Sequence, residues 1–185
     1  ISGIYCTQVA YMVGSNDSVS GLIGGFEGTV KNLIIKDSTF APNQHLGLNG
    51  AIGAITGYPQ DCTIINCRVE NTKISSIDKY GQLGGIAGYG CGKVENCQVD
   101  VTLICTDTDS ETKDEQFMGG IFATGYIDVF DSQVKIDGYI SEFGSVHSGG
   151  ITGAFVQYPL GSASTGYITG NTVEGSITFF EKTSP

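Results

Sequence analysis

A chain of 185 residues with 28 glycines, four prolines and no tryptophan is long enough for one domain; at 40% hydrophobic and 15% charged residues it is too apolar for disorder. Its net charge of −10 argues against nucleic acid, whose binders cluster lysine and arginine against phosphates, and against an anionic membrane surface. No apolar run approaches the ~20 residues of a membrane-spanning helix, and the lack of a three-residue glycine period excludes collagen.

From the N-terminus, residues 1–20 read as a strand that caps one end of the domain. The start at Ile1-Ser2-Gly3, with no initiator methionine and no charged-then-apolar leader, points to a fragment of a longer protein with flanking domains. Residues 21–178 then repeat a two-part unit about five times, at intervals of about 30–35 residues. The first part is Gly21-Leu22-Ile23-Gly24, returning as Ala54-Ile55-Thr56-Gly57, Gly85-Ile86-Ala87-Gly88, Gly120-Ile121-Phe122-Ala123 and Gly150-Ile151-Thr152-Gly153.

The second part comes roughly ten residues later: Val30-Lys31-Asn32-Leu33-Ile34-Ile35, Ile64-Ile65-Asn66-Cys67-Arg68-Val69 and Val94-Glu95-Asn96-Cys97-Gln98-Val99. Weaker copies are Val129-Phe130-Asp131-Ser132-Gln133-Val134 and Ile168-Thr169-Gly170-Asn171-Thr172-Val173, the last displaced by an insertion within 155–167. Residues 179–185 remain as a tail.

Beyond each asparagine, apolar and polar residues alternate, as in Cys97, Val99, Val101 and Leu103 against Gln98, Asp100 and Thr102, which is the period of a strand. At the asparagine the phase slips, so the chain must bend there. Asn and Gly tolerate the left-handed conformation of a tight corner, and the position holds Asn32, Asn66, Asn96, Asp131 and Gly170. A unit of about 30 residues with short strands and corners cannot bury its apolar side alone, but can by stacking on its neighbours. The expected fold is all-β: a parallel β-helix of about five coils. Its predicted inward ladders are Leu22, Ile55, Ile86, Ile121 and Ile151, and Ile35, Val69, Val99, Val134 and Val173, with Gly24, Gly57, Gly88 and Gly153 easing the turn.

The two elements together resemble the GLUG motif, which occurs in tandem on exported and surface proteins of bacteria. The resemblance implies an extracellular repeat region, adhesin-like or accompanying IgA-cleaving metallopeptidases. Such a peptidase needs His-Glu-x-x-His, whereas this chain has only His45 and His147, each alone.

Candidate sites are sparse. Cys67 and Cys97 share one repeat position and read as stacked, buried thiols; Cys62 and Cys91, at the preceding turn of adjacent coils, are the best disulfide candidate, with Cys6 and Cys105 unassigned. Asp107, Asp109 and Glu111 lie in an acidic run (residues 106–116) that is a weak calcium candidate, against the simpler reading of a solvated loop. Phe155, Tyr158 and Tyr167 in the insertion, with Tyr58 and Tyr89 after the glycine element, are candidates for stacking on sugars or docking a protein. Asp128, Asp131 and Asp137 are the nearest approach to the carboxylates of a polysaccharide-active β-helix enzyme.

The expected function is therefore a non-enzymatic surface or secreted module, without cofactor, that adheres to a glycan or host extracellular protein or serves as a spacer. A polysaccharide lyase or hydrolase is the alternative.

Overall fold

The computed structural model describes residues 1–7, 10–11, 18–42, 50–77, 81–106, 115–141, 145–155 and 166–180. Residues 1–20 supply β1 (Tyr5–Cys6), β2 (Ala10–Tyr11) and β3 (Ser18–Ser20). The first coil continues through β4 (Ile23–Lys31), β5 (Ile34–Lys36) and β6 (Thr39–Phe40). Three regular coils stack on it: β7 (Ala51–Gly53), β8 (Thr56–Ile65) and β9 (Arg68–Ser76); β10 (Gln82–Gly84), β11 (Ala87–Glu95) and β12 (Gln98–Cys105); and β13 (Glu115–Gly119), β14 (Phe122–Phe130) and β15 (Gln133–Ser141). The last coil holds β16 (Ser145–Gly149), β17 (Thr152–Phe155), β18 (Ile168–Thr169) and β19 (Thr172–Phe180).

These strands form three sheets. The first runs β1-β6-β9-β12-β15-β19 with β5 also on β9, the second β16-β13-β10-β7-β3-β2, and the third β17-β14-β11-β8-β4 with β18 also on β14. Among the described residues every coil-to-coil pair is parallel, and the one antiparallel pair is β2 with β3 in the cap. The chain is a parallel β-solenoid, the class that its repeats imply.

The repeats are less equivalent than their sequences suggest. Only the three middle coils place an unbroken strand on each face. The first coil is cut between β5 and β6 at Asp37, where φ is 47°, and the last is cut by the insertion between β17 and β18. Both predicted ladders are in register, the second as Ile35↔Val69↔Val99↔Val134↔Val173. Burial falls where a rung lacks a neighbour on one side; Ile35 in the first coil stays buried because residues 1–4 lie alongside its strand. Ile55, Ile86 and Ile121 are fully buried, whereas Leu22 is 36% and Val173 44% exposed at the column's ends. The tail expected from residue 179 begins inside β19, the edge strand that lies along β15 and packs Ile177 against the core.

The close approach of the second and third sheets accounts for the glycine after each apolar residue. A Cβ on Gly88 would lie 2.5 Å from the Cβ of Ala51, and one on Gly57 2.6 Å from that of Val19. The tightest corner is set by a preceding glycine: a Cβ on Gly84 or Gly119 would strike a carbonyl oxygen at 1.8 Å.

At the other corner, Asn32, Asn66, Asn96, Asp131 and Gly170 take φ values of 58°, 54°, 49°, 47° and 71°, all left-handed. The Asn96 amide donates to Oδ1 of Asn66 at 2.7 Å, so the corner is tied along the stack. The N–H groups of Asn32, Asn66, Asn96 and Asp131 still reach the next coil's backbone, as in Asn66 to Glu95 O at 3.1 Å. Two residues on, the N–H points back, as in Gln98 to Cys67 O at 3.0 Å. The N–H between them takes a side chain on the next coil instead. Cys67 N–H donates to Cys97 Sγ (3.4 Å), Cys97 N–H to Ser132 Oγ (3.1 Å) and Ser132 N–H to Asn171 Oδ1 (2.8 Å).

Those side chains in turn donate to backbone carbonyls: Cys97 Sγ to Glu95 O and Ser132 Oγ to Phe130 O within their own coils, and Asn171 Nδ2 to Val129 O of the coil before it. Cys67 and Cys97 are therefore buried hydrogen-bonding groups and not merely small hydrophobes.

Two outcomes test this corner by urea unfolding. Asn96→Val, which forces a branched side chain into the left-handed region and removes the ladder bond, is expected to cost about 2–4 kcal/mol. Cys97→Val orphans the buried Cys67 N–H and is expected to cost about 1–3 kcal/mol, while Cys97→Ser retains most of the stability.

Candidate functional site

On the third sheet, alternate residues point inward to the core and outward to solvent. The outward set on β8 includes Tyr58, Thr63 and Ile65, on β11 Tyr89, Cys91, Lys93 and Glu95, and on β14 Tyr126, Asp128 and Phe130. Tyr89 pairs in register with Thr124, Cys91 with Tyr126 and Lys93 with Asp128. Tyr58 and Tyr89 are half-buried, with ring centroids 5.6 Å apart and planes tilted by 32°. Lys93 Nζ lies 5.1 Å from the Phe130 ring centroid and pairs with Glu95.

The insertion rejoins the column on this same face. Val129 N–H donates to Tyr167 O at 2.7 Å, and Tyr167 N–H donates to the Asp128 carboxylate at 2.7 Å. Tyr167 is 59% exposed beside Asp128. Phe155 ends β17 opposite Gly125 on the same sheet. Of the five aromatic candidates, Tyr58, Tyr89, Tyr167 and the backbone of Phe155 thus belong to one sheet, and Tyr158 lies outside the described residues. Asp107, Asp109 and Glu111 also lie outside them. Among the described residues no group of three or more His, Cys, Asp or Glu side chains is placed to hold a metal ion.

Beside the tyrosines the strand is irregular. Asp61 has φ 45°, Gly90 153° and Gly92 150°, and the register of β8 with β11 shifts here. A bulge of this kind re-aims side chains. The result is a pocket of about 240 Å³ lined by Asp61, Cys62, Cys91, Gly92, Lys93, Tyr126, Ile127 and Asp128. The Asp61 N–H donates to Cys91 Sγ at 3.3 Å, and the Cys91 thiol donates to Asp61 Oδ1 at 3.5 Å. Burial, with the adjacent Cys91 thiol adding to it, pushes Cys62 up to about 12 from the ordinary 9.0. Desolvation also raises Cys91. Cys62, Cys67, Cys91 and Cys97 are free thiols.

The other faces are plainer. Along the first sheet Lys36 pairs with Glu70 (3.0 Å) and Lys135 with Asp100 (3.3 Å), beside a shallow groove of about 300 Å³ that includes Gln98, Gln133 and Thr172. On the second sheet Phe117 stacks on His147 at 4.9 Å. Asp128, Asp131 and Asp137 do not converge. Asp128 is on the third sheet, Asp131 is at the corner, and Asp137 faces Thr102 in the first sheet.

Tyr126, Lys93 and Phe130 carry no signal in the repeat pattern. Tyr126 falls in register with a cysteine and not with Tyr58 and Tyr89, so no repeat column marks it. Among the described residues no helix is long and apolar enough to cross a membrane. No family model, no curated protein and no solved structure matches the chain.

The raised Cys62 has a measurable consequence. Folded Cys62 keeps its proton to about 12, whereas the unfolded thiol releases it near 9.0, so this contribution to stability is complete below about 9 and disappears as pH climbs from there toward 12. Urea unfolding over that range is expected to show stability falling with pH for the native chain, and a shallower fall for Cys62→Ala.

Proposed function

We propose that this chain is a non-enzymatic, extracellular repeat module of a bacterial surface or secreted protein, joined to flanking domains of a longer parent. The outer face of the third sheet grips a glycan or host protein, and the column sets its distance from the parent. One observation carries the reading. Tyr58, Tyr89, Tyr126 and Tyr167, far apart in the chain, collect on a single sheet, while the residues that recur at every coil are consumed by stacking and corners. The resemblance to GLUG repeats supports the extracellular setting.

Aromatic rings present a negative face to the C–H groups of a sugar and pack at low entropic cost, because their side chains have few rotatable bonds. On this face Lys93 is engaged by Glu95, and Asp61 and Asp128 contribute carboxylates. With a net charge of −10, an uncharged glycan is favoured over an acidic polymer.

A glycan array followed by titration calorimetry tests this. The double variant Tyr58→Ala/Tyr89→Ala is expected to bind about 10–100-fold more weakly, about 1.4–2.8 kcal/mol, while Tyr139→Ala on the first sheet leaves affinity unchanged. Wild-type affinity in the double variant, or turnover of any polysaccharide, sinks the reading.

A further inference from the structure

Cys62 and Cys91 sit on adjacent coils at the third-sheet bulge, and neither thiol takes part in the corner column or the tyrosine pair. The Cα partner of Cys62 is Gly92, one residue beyond Cys91. With strands about 4.8 Å apart and a rise of about 3.3 Å per residue, the two cysteine Cα atoms are about 6 Å apart. That lies within the roughly 4.4–6.8 Å that a disulfide spans.

In a regular strand, neighbouring register positions face opposite sides of the sheet and the thiols would diverge. Here the register of the two strands shifts just before Gly92, with Cys62 buried at 1% exposure and Cys91 half-buried on the outer side. Cys91 Sγ lies 3.3 Å from the backbone nitrogen of Asp61, the residue before Cys62. Cys62 Sγ lies 2.8 Å from where a Cβ on Gly92 would sit, the residue after Cys91. Each sulfur is thus held against the other cysteine's chain neighbour, over a glycine whose missing side chain leaves the space, and both line one pocket.

We propose that Cys62 and Cys91 are an oxidative modification site, closing to an inter-coil disulfide by exchange with a small-molecule disulfide. Half-buried Cys91 is the point of entry. As a thiolate it attacks one sulfur of the small molecule, breaks that S–S bond and expels one thiol. Cys62, having given up its proton, then attacks Sγ of Cys91 and expels the second thiol. Two protein thiol protons are released, the electron pair leaves on the two small-molecule thiols, and one Cys62–Cys91 bond remains. The raised affinity of both thiols for their protons makes the reaction slow at neutral pH and faster in mild alkali. The bond joins the coil of Tyr58 to that of Tyr89, so it clamps the two rungs of the aromatic pair. It does not depend on the ligand proposed for that face.

The test is to incubate the folded chain with glutathione disulfide at pH 8.5, alkylate in denaturant without reduction, and map peptides by mass spectrometry. A peptide linking Cys62 to Cys91 is expected, with loss of two of the six thiols and about 2 Da of intact mass. Thermal unfolding is expected to shift upward by several degrees, reversibly on adding reductant, and Cys91→Ser is expected to lose both signals. Full alkylation of Cys62 and Cys91, glutathione retained on Cys91, or a link between any other pair overturns the proposal. So does an upward thermal shift that survives in Cys91→Ser.

Discussion

The solenoid rests on the bend at Asn32, Asn66, Asn96, Asp131 and Gly170. Between the last N–H of one strand and the first of the next, the chain reverses which neighbour it bonds, and one backbone N–H is left with no carbonyl to meet. A buried orphan of that kind costs about as much as a lost hydrogen bond. The structure answers with a side chain from the following coil, Cys97 for Cys67, Ser132 for Cys97 and Asn171 for Ser132. Each acceptor also donates to a backbone carbonyl, Cys97 and Ser132 within their own coils and Asn171 back to the coil before it, so every corner is completed only by the coil stacked after it. Parallel stacking is thereby written into the corner as well as into the strands.

That requirement explains a substitution pattern that otherwise looks like decay. Cys, Cys, Ser and Asn differ in volume and polarity, yet all offer an acceptor and a donor at short reach. Leu33 offers neither, and it stands at the first corner, where no preceding N–H of that kind needs an acceptor. The fourth and fifth repeats therefore keep the chemistry of the site while losing its spelling.

The fold class and the column registers were legible because period-two alternation and a fixed repeat length determine which residues can lie over one another. Ile35, Val69, Val99, Val134 and Val173 form one column for that reason. Burial was less legible, because it depends on having neighbours on both sides: Leu22 and Val173 carry the same pattern as the core yet face solvent. The breaks at Asp37 and in the last coil were hidden for a related reason, since a repeat alignment absorbs extra residues without saying which strand they split. Of the candidate face, Tyr58 and Tyr89 were visible as aligned positions, and Tyr167 as part of an insertion. Nothing local showed that the insertion would rejoin beside Asp128, because that depends on β17 and β18 both pairing with β14.

The same logic says where specific chemistry has room to exist. A residue repeated at every coil is committed to its column, and changing it costs stability before it alters recognition. Freedom lies where the register slips. At the bulge, Asp61 and the positive-φ glycines Gly90 and Gly92 turn side chains away from the regular alternation. Asp61, Cys91, Lys93 and Tyr126 thereby share one pocket with the buried Cys62. An irregularity of one residue in β8 thus gives the third sheet what the paired charges of the first sheet lack, a concave, chemically mixed patch beside a pair of aromatic rings.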